Sequence, residues 1–194
     1  MATLHFFYGT MGSGKSGRII DTAYSLNHTD KKAIVIKPAF DNRDSVTDVV
    51  SRSGRSVSAS PLQSLNGWTP DADVQFVLVD EVQFFKPSDI DILVRIADAK
   101  NVIVMCYGLM VDCNEQLFPA SKRLVEVGAK LHQMETTCQI NGCMHLATHH
   151  LHYDGAGNVI RAGESMTVGD SEYKSVCRKH FYRYYYNINN IRGR

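Results

Sequence analysis

Apolar residues along this 194-residue chain alternate between short continuous runs and stripes at helical spacing. The runs "TLHFFY" (3–8), "AIVIKP" (33–38), "VQFVLVDE" (74–81) and "NVIVMCYG" (101–108) are short, β-branched and aromatic, and read as buried strands. Between and after them, "SGRIIDTAYSL" (16–26), "KPSDIDILVRIADA" (86–99) and "SKRLVEVGA" (121–129) place apolar residues three and four apart, as helices do. Strands and helices in alternation predict an α/β fold built on a parallel sheet with helices on both faces. The serine- and arginine-rich stretch "DNRDSVTDVVSRSGRSVSASPL" (41–62) reads on composition as a solvated loop, with an excursion serving a site or a subunit contact as the other reading. After about Met134 the texture shifts to cysteine, histidine, glycine and short β-like runs, which predicts a second small unit. The expected division is therefore an α/β domain over 1–133, a small domain over 134–184 and a C-terminal tail over 185–194.

A chain of this length carries one ordinary core and a small appendage. Its formal net charge is +1, with both signs mixed along the chain, so no global field favours nucleic acid or an anionic membrane. No apolar run approaches membrane-spanning length, and the chain enters a strand at once without a basic-then-apolar leader, so the expected location is the cytoplasm. Five cysteines are an odd count and suggest thiols or metal ligands before disulfides.

The first chemical signal is "GTMGSGKS", comprising Gly9, Thr10, Met11, Gly12, Ser13, Gly14, Lys15 and Ser16. It has the spacing of the phosphate-binding loop and joins a predicted strand to a predicted helix, the setting that such a loop needs. Glycines let successive N–H groups approach phosphate oxygens, and the helix N-terminus adds positive potential. Lys15 then reaches the β- and γ-phosphates of ATP, and Ser16 supplies a hydroxyl oxygen to Mg²⁺.

The second signal is "FVLVDEVQFF", residues 76–85. An acidic residue ending a buried strand beside a phosphate loop is placed to hold Mg²⁺ through water, which is the task expected of Asp80. Glu81 follows directly and projects in another direction, toward a second substrate. Of Phe84 and Phe85, one is expected in the core.

The third signal is the cysteine spacing. Cys138 and Cys143 bracket "QING", and Cys177 precedes His180 by three residues. Two separated pairs of such ligands close a tetrahedral structural Zn²⁺ site. His145, His149, His150 and His152 compete with His180 for the fourth position. Cys106 lies in a strand and reads as core.

Taken in order, "GTMGSGKS", "VIKPAFDNRDS", "VVSRSG", "VDEVQFF", "YGLMVDCNEQLFPASK", the Cys138/Cys143 pair and "VGDSEYKSVCRKH" resemble the zinc-containing (type II) thymidine kinases, the family that includes the cytosolic human enzyme. The resemblance implies a P-loop (RecA-like) sheet with a zinc-ribbon-like C-terminal domain and a lasso loop. It also implies transfer of the γ-phosphate of ATP to the 5′-hydroxyl of thymidine, with deoxyuridine as a further substrate, in nucleotide salvage for DNA synthesis. By the same resemblance Glu81 is the general base, Arg43 lies by the transferred phosphoryl group and Asp41 lies near the sugar. Val168, Gly169 and Tyr173 belong to the lasso, which spans 163–173 and covers the base. Met11 and Thr148 lie near the thymine methyl, and Phe84, Leu109 and Phe118 form apolar walls. Feedback inhibition by dTTP and a homotetramer are implied too, with no nucleic-acid or membrane partner. Four features depart from the family pattern: Cys113 where it has an aromatic residue, Met110 where it has an arginine or acidic residue, a histidine for its arginine shortly after Thr148, and the spacing of the first cysteine pair. A smaller residue at Cys113 implies a looser base pocket.

The rival reading is a RecA-like, nucleic-acid-binding ATPase with a zinc ribbon. It draws on the tail "HFYRYYYNINNIRGR", whose tyrosines and arginines suit base stacking and phosphate contact, although such a tail also reads as a packing segment with a frayed end. A near-neutral net charge of +1 and the Glu81 context weigh against it.

Overall fold

The computed structural model describes residues 3–41, 45–154, 156–161 and 172–187. In chain order the elements are β1 (Leu4–Tyr8), α1 (Lys15–Asn27), β2 (Ala33–Pro38), β3 (Asp48–Val50), β4 (Ser56–Ser58), β5 (Ser60–Leu62) and β6 (Phe76–Val79). There follow a 3₁₀ turn (Val82–Phe84), α2 (Pro87–Lys100), β7 (Ile103–Gly108), α3 (Pro119–Glu126), β8 (Lys130–Gln133), β9 (His149–Tyr153), β10 (Val159–Ile160), β11 (Glu172–Val176) and α4 (Arg178–Tyr185).

Six strands form one sheet in the order β5-β2-β6-β7-β1-β8, and every neighbouring pair in it is parallel. This is the expected α/β sheet, two strands wider than the apolar runs indicate. Both added strands are edges. β5 is three residues with a proline, and β8 reads "KLHQ", so neither carries an apolar run. Pairing with β2 and β1 makes them strands, and sequence pattern does not report that partner.

Side chains alternate across the sheet, so each face has its own core. Val77 and Val79 face α2 and α3, packing with Ile90, Leu93, Ile96 and Leu124. Leu78, between them, faces the other way and packs with Ile19 and Ala23 of α1. Cys106 is buried in the first core, and burial pushes its thiol pKa well up, as suits an inert core residue.

The stretch 41–62 is not the solvated loop that its composition favours. It contains the antiparallel hairpin β3–β4 and the edge strand β5. Val49 and Ala59 are buried against α1, with Val57 partly so, and these three apolar residues outweigh the serines around them. Helix α2 starts on Pro87, whose missing N–H costs nothing at that position. Asp89 secures this start: one carboxylate oxygen accepts the Lys86 N–H at 3.0 Å, and the other accepts Ser64 Oγ and Leu65 N–H, both at 2.8 Å.

Beyond β8 the three-stranded antiparallel sheet β10-β9-β11 packs with α4 around Leu151, Val176 and Phe181. Among the described residues, no helix is long and apolar enough to cross a membrane.

Candidate active site

Four parallel strands, β1, β2, β6 and β7, end at one edge of the large sheet, where the loops that follow them converge. In open α/β sheets this carboxyl edge is where ligands bind. The glycine loop runs from the end of β1 into α1. Gly14 caps the helix at φ 81°, and Gly12 sits at φ 78°, both in the left-handed region that glycine enters without strain. Gly9 is required for a different reason: a Cβ there would lie 2.2 Å from the Met134 carbonyl oxygen, which follows β8. Lys15 is turned into the loop. Its ammonium donates to the carbonyls of Thr10 (2.9 Å) and Gly9 (3.1 Å) and lies 3.4 Å from Ser13 Oγ, and the residue is buried. Thr10 Oγ1 is buried with no hydrogen-bond partner among the described residues. A buried cation and an orphaned hydroxyl inside a ring of amides suit an anion.

Asp80 and Glu81 follow β6 on the facing side. Asp80 is buried, and burial first, then the charge of Glu81, pushes its pKa up to about 7. A carboxylate deprived of solvent in this way is a place for a cation. Its Oδ1 accepts the Glu81 N–H at 2.9 Å. Glu81 itself adopts φ 44°, ψ 43°, a left-handed backbone that costs a residue with a side chain about 1–2 kcal/mol. Such strain persists only where the surroundings enforce it. Here Gln83 does so: its amide donates to Glu81 Oε2 at 2.5 Å, while its Oε1 accepts the Leu109 N–H at 3.0 Å. The Leu109 carbonyl in turn accepts Ser121 Oγ at 2.6 Å, so both ends of that residue's backbone are fixed.

One cavity of about 750 Å³ joins these parts. Met11, Gly12, Gly14, Lys15 and Ser16 line it on the loop side, and Asp41, Asp80 and Glu81 face them. Phe84, Leu109, Phe118 and Tyr173 supply its apolar and aromatic wall, together with Cys113. Phe84 meets Phe40 and Phe118 edge-on, with ring centroids 5.4 and 6.0 Å apart. Phe85 is the core member of the Phe84–Phe85 pair. Gly9, Thr10 and Ser13 build the loop without lining the cavity. Thr148 is exposed and outside the lining. Arg43, Val168 and Gly169 lie outside the described residues, as does residues 163–171 of the stretch read as a lasso.

Among the polar lining residues that the sequence reading did not assign to this cavity are Lys37, Arg52, Gln83 and His150. Lys37 carried a signal, as a charge inside the apolar run "AIVIKP"; it is buried 3.7 Å from Asp41. The other three depend on contacts between segments far apart in the chain, which spacing does not reveal.

In the small sheet, Cys138, Cys143, Cys177 and His180 bring one ligand atom each within 4.8 Å of one another. Cys138 Sγ and Cys177 Sγ each lie 3.4 Å from His180 Nδ1, and Cys143 Sγ lies 3.9 Å from Cys177 Sγ. All are free cysteines. Tetrahedral zinc with Zn–S bonds of about 2.3 Å separates its sulfurs by roughly 3.8 Å, so this group could bind zinc. The competing histidines are engaged elsewhere or outside the group: His149 with Glu115, His150 with Met11, and His152 stacked on Tyr173.

A parallel sheet whose carboxyl edge sets an inward-turned lysine in a glycine loop in one cavity with a buried aspartate and its neighbouring glutamate suits a phosphate-handling α/β enzyme. The family described as thymidine kinase matches residues 2–181, and the chain belongs to that family. It is 36% identical over 188 residues to the thymidine kinase of Enterobacteria phage T4, covering 93% of this chain and 96% of that one. It is 33% identical over 192 residues to that of Rhizobium meliloti (93% and 96%) and 36% identical over 188 residues to that of Enterococcus faecalis (94% and 95%). Among solved structures, Bacteroides Pif1 bound to ssDNA gives a TM-score of 0.37 at 15% identity, over 68% of this chain and 38% of that one, too slight a likeness to carry an argument.

The loop geometry yields a stability prediction. Gly9→Ala forces its Cβ against the Met134 carbonyl and should destabilise the fold by about 1–3 kcal/mol, as overpacking does. Gly17→Ala, whose Cβ meets only the tip of Arg55 at 3.8 Å, should stay within about 0.5 kcal/mol of the parent or exceed it. Urea denaturation of the two variants checks this; equal stabilities would contradict the close approach.

Proposed function

We propose that this enzyme transfers the γ-phosphate of ATP to the 5′-hydroxyl of thymidine, giving dTMP. Membership of the thymidine kinase family names the reaction. The observation that carries it is that Lys15 and Glu81 line one cavity from opposite sides, with an aromatic wall beside them.

The loop amides and Lys15 hold the β- and γ-phosphates. Thymidine lies against Phe84, Leu109 and Phe118 with its 5′-oxygen toward Glu81. The Glu81 carboxylate takes the hydroxyl proton as that oxygen attacks the γ-phosphorus and ADP leaves. The Gln83 amide keeps one carboxylate oxygen oriented throughout. Ser16 and Asp80 would hold Mg²⁺, which neutralises charge on the phosphates. Arg43 approaches the equatorial phosphate oxygens, where a guanidinium matches the geometry, and Asp41 binds the sugar. Met11, which lines the cavity, sits by the thymine methyl. Val168, Gly169 and Tyr173, in the lasso, cover the base mainly through main-chain groups. A methyl pocket discriminates only modestly, so deoxyuridine is accepted as well, and Cys113 leaves the pocket wider than an aromatic residue would.

Cys138, Cys143, Cys177 and His180 bind a structural zinc that closes the small domain. The proposed division is a P-loop domain over 1–133, a zinc and lasso domain over 134–184 and a tail from 185. The enzyme works in the cytoplasm as a homotetramer, and dTTP inhibits it because one molecule carries both the base and the triphosphate. The nucleic-acid-dependent ATPase reading is not favoured, since the family match runs through residue 181 and so includes the ribbon residues that reading relied on.

A nucleoside panel with ATP tests the function. Phosphate should pass to thymidine and deoxyuridine but not to purine nucleosides, with dTTP inhibiting. ATP hydrolysis stimulated by single-stranded DNA without thymidine would instead restore the rival. Within the same assay Glu81→Gln should lower turnover by roughly 10² to 10⁴-fold while calorimetry finds ATP affinity little changed. Lys15→Ala should weaken ATP binding itself. Near-normal turnover of Glu81→Gln removes the base assignment. Elemental analysis should find about one zinc per chain in the parent and a loss of zinc in Cys143→Ser. Stoichiometric zinc in that variant would overturn the ligand set.

A further inference from the structure

Two hydrogen bonds cross from the small antiparallel sheet to the glycine loop, and both end on Met11. The Met11 N–H donates to His150 Nε2 at 2.8 Å, and Ser175 Oγ donates to the Met11 carbonyl at 2.7 Å. His150 and Ser175 are register partners on β9 and β11, so the sheet presents an acceptor and a donor side by side. Both are buried, at 4% and 1% exposure.

Each is itself held in place. Burial, aided by the Lys15 charge, pushes the His150 pKa down to about 3, so the ring stays neutral and Nε2 keeps the lone pair that Met11 uses. Ser175 is gripped by Gln139, whose Oε1 accepts the Ser175 N–H at 2.6 Å and whose own N–H donates to the Ser175 carbonyl at 2.9 Å. Gln139 directly follows Cys138 of the Cys₃His group. The loop has few restraints of its own. Within it, the Ser13 N–H donates to the Thr10 carbonyl at 3.2 Å and the Lys15 ammonium donates to the carbonyls of Gly9 and Thr10, bonds that leave Met11 itself untouched, and two of its glycines occupy left-handed conformations that a free chain leaves readily. Fixing the N–H and the C=O of Met11 therefore sets the direction of the amides that follow.

We propose that His150 and Ser175 are positioning residues for nucleotide binding: the small sheet shapes the glycine loop, and the polyphosphate site is a joint product of both sheets. The inference rests on reading that loop as the ATP phosphate site. It deepens that reading by giving the second sheet a part in holding ATP, beside its part in covering thymidine. Preorganised amides bind an anion without the cost of ordering the loop, so losing the clamp acts more strongly on ATP than on thymidine, which meets the loop only at Met11.

The test uses the full-length, zinc-replete protein and three variants. His150→Leu removes the acceptor, His150→Gln places an amide oxygen near the Nε2 position, and Ser175→Ala removes the donor. ATP affinity is read by calorimetry, KM for ATP and thymidine by steady-state kinetics, and zinc by elemental analysis. In His150→Leu the ATP Kd and KM should rise at least about tenfold, because a buried N–H is left unpaired. Thymidine KM should rise by a smaller factor than the KM for ATP, and zinc content should be unchanged. His150→Gln should return to within about threefold of the parent. A folded, zinc-loaded His150→Leu with parental ATP affinity overturns the proposal, as does a Gln variant no better than Leu. If His150→Leu does not fold, Ser175→Ala decides: an ATP Kd raised about threefold or more supports the clamp, and parental affinity overturns it. A parent protein that binds thymidine but no ATP sinks the reading of the loop itself, an outcome distinct from any variant's behaviour.

Discussion

The site depends on a single buried amide, Gln83, which spans the gap between the end of β6 and the end of β7, donating a hydrogen bond to Glu81 and accepting one from Leu109. Its presence determines what surrounds it. Glu81 can occupy a left-handed backbone because its carboxylate is tied at the far end. Residue 108 must be glycine, since a Cβ there would sit 2.3 Å from Gln83 Oε1. Leu109, held by the same amide, is thereby set at a fixed distance from Glu81. The proposed proton acceptor and the proposed wall for the base thus share one anchor, and two neighbouring strands are tied together at the carboxyl edge of the sheet.

Around that anchor the protein buries more charge than a stable core requires. Lys15, Lys37, Asp41 and Asp80 are all nearly inaccessible. Such groups add little net stability, because desolvation offsets most of the attraction between them. Their return is geometric. Lys37 donates to the Ser45 and Asp48 carbonyls at 2.9 and 3.3 Å and lies close to Asp41, so one ammonium fixes both ends of the segment that contains Arg43. Lys15, folded onto the loop carbonyls, keeps the anion site organised around a positive charge. Asp80 has its pKa raised by burial and by Glu81, so a cation bound beside it would favour its ionised form.

Much of this was legible in the sequence, for identifiable reasons. The four apolar runs became the four central strands because burial on both faces demands continuous apolar residues. "GTMGSGKS" was readable because the turn it makes needs glycine locally at Gly12 and Gly14, and the Cys₃His set because ligands for one metal site come in spaced pairs. What stayed hidden was non-local. β5 and β8 are strands only by virtue of their partners, and Val49, Val57 and Ala59 looked like part of a polar loop until α1 lay across them. Gln83 and His150 belong to the site through bonds to Leu109 and Met11, 26 and 139 residues away. No periodicity records such pairings.

The central claim is that the Glu81 carboxylate, oriented by Gln83, meets the 5′-hydroxyl of thymidine while the glycine loop holds the phosphates of ATP. A crystal structure of the complex with thymidine and a non-hydrolysable ATP analogue measures this directly. The account predicts a carboxylate oxygen of Glu81 about 2.6–3.2 Å from the thymidine 5′-oxygen, with the γ-phosphate in the Gly9–Ser16 loop on the far side of that oxygen. Thymidine bound with its 5′-oxygen turned away from Glu81, or the triphosphate seated outside the loop, would contradict it.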